Sequence, residues 1–79
     1  MKAIICGAGR YTRELLARLG DRWRVTLIDP SEKILKELMN AHATVAKILA
    51  GDAASPVLLE KAGLGDTDYF LALTDHDKV

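Results

Sequence analysis

The sequence predicts an α/β fold in which helices cover a parallel β-sheet. Short apolar segments alternate with amphipathic ones along the chain, and the first apolar segment enters a helix through a Gly-x-Gly turn. This alternation is typical of βαβ units, whose crossovers are right-handed. For four such strands we expect the sheet order 3-2-1-4, which leaves one edge of the fourth strand open.

The first predicted unit is a strand over residues 3–6, a turn from Gly7 to Gly9, and a helix over residues 10–19. The leucines of that helix recur on one side, as a core-facing helix requires. Gly20 follows at the position where a left-handed residue often ends a helix.

The second predicted strand covers residues 23–28, is rich in β-branched residues and is followed by Asp29. Ser31 is suited to cap the next helix, because its side chain can accept a bond from a free backbone N–H. The apolar stripe of this helix is expected to fill the core and consists of Ile34, Leu35, Leu38 and Met39.

The third predicted strand, residues 45–49, is interrupted by Lys47, which favours an edge position. Ser55 and the following proline begin a helix that Gly63 ends, and residues 69–73 form the fourth strand. A complete doubly wound sheet has about six strands. We therefore expect either the amino-terminal part of a larger domain or a second chain that covers the open edge.

Composition narrows the classes of function. The chain has 79 residues, which is one domain, and its 11 basic and 11 acidic residues give no overall field for nucleic acid or an anionic membrane. Cys6 is the sole cysteine, so no internal disulfide forms, and we expect it to be a buried apolar filler in a reducing cytosol. The sequence shows neither a leader nor a membrane-spanning apolar run, so we expect no secretion and no insertion into a bilayer.

The glycine turn predicts a phosphate site. Gly7-x-Gly9-x-x-Thr12 opens a helix, and the free N–H groups and dipole at a helix N-terminus favour an anion. The dinucleotide fingerprint has glycine at the third position, where this chain has Thr12. The threonine either loosens the packing of helix on strand or adds a hydroxyl near the phosphates.

Three further positions fall at the same edge of the predicted sheet. Asp29, about 20 residues beyond Gly9, stands where an acid accepts hydrogen bonds from ribose hydroxyls, and it would repel a 2′-phosphate. NAD(H) or an unmodified adenosine nucleotide is therefore favoured over NADP(H). Asp52 and Ala53 leave the third strand where a small residue would admit an adenine ring, and Thr74 ends the fourth strand beside the switch point.

No set of residues predicts catalysis. His42 and His76 have no nearby nucleophile in a recognisable arrangement, and Asp75-His76-Asp77 is more typical of a solvated segment than of a metal site. We therefore predict neither an enzyme nor a metal site.

Taken together, these segments resemble the TrkA-N or RCK amino-terminal domain of the Trk/Ktr potassium-uptake regulators. The resemblance is carried by the glycine turn, by Leu27-Ile-Asp-Pro, and above all by Gly51-Asp-Ala-Ala-Ser-Pro-Val-Leu-Leu-Glu-Lys-Ala-Gly-Leu. It continues through Asp66-Thr-Asp-Tyr-Phe-Leu-Ala-Leu-Thr-Asp and covers nearly the whole chain. We expect residues 1–79 to be such a domain, truncated after the fourth strand.

The resemblance implies a Rossmann-like, non-enzymatic regulatory domain that binds NAD(H) or ATP/ADP. Such domains form homo-oligomers, from dimers to octameric rings, on the cytoplasmic face of the membrane. There they control a potassium channel or transporter subunit.

Matched position by position, the resemblance implies that Gly7, Gly9 and Arg10 face the phosphates. The chain departs from the family at two positions: Thr12 replaces the usual third glycine, and Tyr11 is bulkier than the usual small apolar residue. We still expect both residues to contact the nucleotide.

The same matching implies that Asp29 holds the ribose, with Pro30 beside it. Asp52 and Ala53 would flank the adenine, and Thr74 would line the pocket beside the phosphates.

Two other functions stay open at this point. The chain could be the cofactor-binding half of an NAD-dependent oxidoreductase whose substrate residues lie elsewhere. It could also be an assembly module with a vestigial nucleotide site.

Overall fold

The computed structural model of the chain describes residues 1–20, 22–52 and 54–72. Strands and helices alternate, as the sequence predicts. In chain order the elements are β1 (Lys2–Cys6), α1 (Arg10–Arg18), β2 (Arg24–Asp29), α2 (Glu32–Ala41), β3 (Val45–Ala50), α3 (Pro56–Lys61), a short 3₁₀ helix (Leu64–Asp66) and β4 (Tyr69–Ala72).

The four strands form one parallel sheet in the order β3-β2-β1-β4, which confirms the predicted Rossmann-like topology. Cys6 at the end of β1 pairs with Ile28 of β2 and with Ala72 of β4. Because the strands are parallel and in register, their carboxyl ends meet at one edge of the sheet. We call this the carboxyl edge.

Two apolar clusters hold the helices on opposite faces of the sheet. On the face covered by α1 and α2, the buried residues include Ile5, Leu16, Val25, Leu27 and Leu35. On the other face, α3 packs against Ile4, Cys6 and Ile28. The cluster under α1 and α2 contains nine buried residues and the cluster under α3 four, so among the described residues the first layer contributes more of the apolar stabilisation.

Two expectations about the helices are wrong. Leu19 leaves α1 in an extended conformation, with φ −75° and ψ 139°, so the helix ends without a left-handed residue at Gly20. Met39 is 39% exposed, because it lies one residue past Leu38, about 100° further round the helix. The buried stripe of α2 is narrower than the sequence pattern indicates.

The remaining differences are at element ends. β2 covers Arg24–Asp29 instead of residues 23–28, and β3 continues one residue further, to Ala50. Gly63 has φ 87° and ends the α3 segment in the left-handed conformation, as predicted. Leu73, the last residue of the predicted fourth strand, lies outside the described residues.

β4 is the strand with the least cover. All four of its residues are exposed on both faces, although Tyr69 packs against Trp23 with ring centroids 5.4 Å apart. Among the described residues β4 pairs with β1 alone, so the predicted open edge is present in this part of the chain. No helix in residues 1–20, 22–52 or 54–72 has the length and apolarity that crossing a bilayer requires.

The core of α2 gives a direct test of this packing. Leu35→Ala removes a fully buried side chain and is expected to lower the free energy of unfolding by about 2–5 kcal/mol. Met39→Ala, on the same helix, is expected to cost less than about 1 kcal/mol. Urea unfolding of both variants measures the difference; equal losses would contradict the described orientation of α2.

Candidate functional site

The turn after β1 depends on Gly7. Its backbone has φ 104°, which a residue with a Cβ rarely adopts, and its N–H donates to the Ile28 carbonyl across 2.8 Å. Gly9 has φ −90° and ψ −160°, an extended conformation open to any residue. Gly7 is therefore required by the backbone conformation, whereas the conformation of Gly9 does not by itself require glycine.

The N-terminus of α1 has features that favour an anion. Gly9 is its N-cap residue and has no side chain to cap the helix, and the first turn contains no acidic residue. Arg10 and Tyr11 begin the helix, both exposed, Tyr11 at 64%. The first N–H groups of a helix lack partners within it, so this end combines donors, the helix dipole and a cationic residue.

Thr12 has a structural role in this turn. The residue is fully buried, and its hydroxyl donates to the Gly7 carbonyl across 2.6 Å. The hydroxyl proton is directed at the turn itself. Thr12 thereby couples the first turn of α1 to the residue with positive φ.

Asp29 connects the glycine turn to the start of α2. Its Oδ1 accepts the Ala8 N–H across 3.1 Å, and its Oδ2 accepts the Ser31 N–H across 2.9 Å. The carboxylate is half-buried and is held in one orientation by these two bonds. Each oxygen keeps a second lone pair, so the group can still accept hydroxyl donors. Pro30 lies exposed at the bend between Asp29 and Ser31.

The loop after β3 reaches the same edge. The Gly51 N–H donates to the Asp29 carbonyl across 3.0 Å. Asp52 is exposed, its Oδ1 accepts the Ala54 N–H across 2.8 Å, and its carbonyl accepts the Ser55 N–H. Asp52 therefore closes a tight turn that leads into α3.

The structure thus gathers three loops at the carboxyl edge, those that contain Gly7, Asp29 and Asp52. Ala53 and Thr74 lie outside the described residues. Sequence reasoning missed the backbone N–H of Ala8, which holds the Asp29 carboxylate, and that of Gly51, which bonds the Asp29 carbonyl. Two signals in the sequence could have indicated these N–H groups: the small residue Ala8 between two glycines, and the pair Gly51-Asp52 after β3.

Cys6 lies directly below the glycine turn and is buried, as predicted. Burial raises the pKa of its thiol above the usual value, which keeps the group neutral and apolar in character. Within the described part of the chain, no group of three or more His, Cys, Asp or Glu side chains is arranged to hold a metal ion.

Comparison with known sequences decides the family. The family model described as the TrkA-N domain matches residues 3–79. The chain belongs to the TrkA-N domain family. The TrkA-N assignment accords with the parallel sheet order and with the glycine turn at its carboxyl edge.

Three relatives share the same description, "Trk system potassium uptake protein TrkA". The protein from Vibrio alginolyticus is 33% identical over 79 residues, that from Haemophilus influenzae 32% over 80, and that from Halomonas elongata 33% over 81. The alignments cover 99–100% of this TrkA-N chain but 17% of each relative. The chain therefore spans about a sixth of the length of these relatives.

Gly7 and Gly20 differ in backbone conformation and therefore give a matched pair of variants. Gly7→Ala is expected to destabilise the fold by more than about 1 kcal/mol, because alanine is strained at φ 104°. Gly20→Ala meets no atom within 4 Å and requires no positive φ, so it is expected to stabilise by about 0.4–1 kcal/mol. Thermal unfolding of both measures the signs; a destabilising Gly20→Ala would contradict the described end of α1.

Proposed function

We propose that this chain is a regulatory module that binds an adenosine nucleotide, NAD(H) or ATP/ADP, and through it controls a potassium uptake system. The observation that carries the proposal is the fixed carboxylate of Asp29 beside the glycine turn. Its oxygens lie 3.1 Å from the Ala8 nitrogen and 2.9 Å from the Ser31 nitrogen. An acceptor pair for sugar hydroxyls is thus already oriented next to a helix N-terminus that favours phosphate.

The nucleotide would lie across the carboxyl edge of the sheet. Its phosphates would face Gly7, Gly9 and the start of α1 at Arg10, with Tyr11 at the rim. Its ribose hydroxyls would donate to Asp29 beside Pro30. The negative charge of this carboxylate would oppose a 2′-phosphate, which favours NAD(H) or an unmodified adenosine nucleotide.

The adenine would lie toward the loop after β3. Asp52 and Ala53 would flank it, with Thr74 beside the phosphates. Because the Asp52 carboxylate already accepts the Ala54 N–H, its contribution would be to shape the loop as much as to contact the ligand.

The proposed partner is supported by the names of the relatives, which describe potassium uptake. We propose that the chain acts on the cytoplasmic side of a membrane channel or transporter subunit, as part of a homo-oligomer between a dimer and an octameric ring. Such an assembly would exchange between two conformations. A nucleotide can shift the equilibrium between them only as far as its affinities for the two differ. The module would need no catalytic group for this role.

Calorimetric titration of the full chain with NADH, NAD, ATP and ADP tests the proposal. We expect saturable binding of at least one of them and weaker binding of the corresponding 2′-phosphorylated dinucleotide. The absence of binding by all four would contradict the proposal. Hydride transfer with turnover would favour the oxidoreductase alternative instead.

A charge-removing variant tests the role of Asp29. Asp29→Asn keeps a side chain of the same size but removes the charge and replaces one acceptor oxygen by an NH2 donor, which would face a backbone N–H. We expect it to weaken nucleotide binding about tenfold or more, because bonds to a charged group contribute ~1.5–3 kcal/mol. Asp68→Asn is the matched control, since the Asp68 carboxylate also accepts a backbone N–H, that of Lys2 across 2.9 Å, at the opposite edge of the sheet.

Asp29→Asn is expected to lower stability more than Asp68→Asn, because Asp29 is half-buried and accepts two backbone N–H groups, whereas Asp68 is exposed and accepts one; thermal unfolding measures this difference. Only Asp29→Asn is expected to lower affinity. Equal affinities for the two variants would support a vestigial site and contradict the proposed contact with the ribose.

A further inference from the structure

A second concave surface lies far from the glycine turn. A groove of about 290 Å³ opens on the α3 face of the sheet, at the amino ends of the strands. α3 has only six residues and leaves this part of the face uncovered. We call it the basic groove; the lining residues that matter here are Lys2, Arg24, Thr26, Lys47, Gly63 and Asp66.

The cations of the basic groove are neighbours in the sheet. Lys2 of β1 pairs in register with Arg24 of β2, and Lys47 of β3 pairs with Thr26, two residues further along. Three cations therefore share one face of three adjacent strands. Like charges directly opposite each other on neighbouring strands destabilise a sheet.

The neighbouring carboxylates do not neutralise them. Among residues 1–20, 22–52 and 54–72, neither Lys2, Arg24 nor Lys47 has a carboxylate within the 4.0 Å of an ion pair. Asp66 lines the groove, and the Asp68 carboxylate lies close by, where it accepts the backbone N–H of Lys2. Three cations therefore face two carboxylates among the described residues, which leaves an excess of one positive charge.

We propose that the basic groove binds the phosphate chain of a small polyphosphate compound. The planar guanidinium of Arg24 can match two phosphate oxygens at once, and Lys2 lies directly opposite Arg24 on the neighbouring strand. The Lys47 ammonium is already oriented, since it donates to the Lys61 carbonyl across 2.8 Å and keeps two further donors. The volume is near the lower limit of small-molecule pockets, which favours a small ligand over a macromolecule.

This site is separate from the one at the carboxyl edge. Arg24 begins β2 and Asp29 ends it, five residues apart, which is about 16 Å along a strand. The two sites also differ in chemistry: the basic groove presents cations, whereas the carboxyl edge presents the Asp29 carboxylate, which we propose to accept the ribose hydroxyls. Inorganic polyphosphate and the phosphates of a nucleotide share the required chemistry.

Titration of the full chain with inorganic tripolyphosphate tests the proposal. Arg24→Gln is expected to weaken binding about tenfold, the effect of losing a charge-assisted pair. Arg18→Gln is the matched control: Arg18 is an exposed arginine in the last turn of α1, and its loss is expected to change the affinity by less than about twofold. Asp66→Asn removes the opposing carboxylate and is expected to strengthen binding.

Amide NMR shifts of the same samples locate the ligand. We expect tripolyphosphate to move the resonances of Thr26, Lys47 and Gly63 in the wild type, and to move them less in Arg24→Gln or in a second variant, Lys2→Gln. ATP moving the same resonances would identify nucleotides as one source of the phosphate chain. Shifts confined to Gly7–Gly9, no binding, or equal losses in Arg24→Gln and Arg18→Gln would overturn the proposal.

Discussion

The carboxyl edge of this domain depends on one residue, Asp29. Its carboxylate accepts the N–H groups of Ala8 and Ser31, and its carbonyl accepts that of Gly51. Three loops that are distant in sequence are thereby tied to the end of β2. A bond from a backbone N–H to a charged acceptor contributes about 1.5–3 kcal/mol, a large share of the stability of a small domain.

This arrangement connects stability with binding. Because Asp29 is already held by the protein, a ribose would meet an ordered acceptor and would not have to immobilise a free side chain. Thr12 acts in the same sense, since its buried hydroxyl donates to the Gly7 carbonyl and so fixes the turn that we propose to face the phosphates. The bonds that order Asp29 and the glycine turn are all made within the protein.

The sequence predicted the sheet order, the Gly7 turn and the position of Asp29, because strand alternation and glycine spacing are local patterns. It did not predict that Met39 is exposed or that α1 ends without a left-handed Gly20, since both depend on tertiary packing. The basic groove was also missed. Lys2, Arg24 and Lys47 are far apart in sequence, and only the strand register brings them to one face.

The most direct test of this account is a crystal structure of the chain grown with ADP or NADH. The account predicts the ribose hydroxyls within hydrogen-bond distance of the Asp29 carboxylate, while its bonds to Ala8 and Ser31 persist. A carboxyl edge without ligand at saturating concentration, or a carboxylate turned away from the sugar, would contradict it.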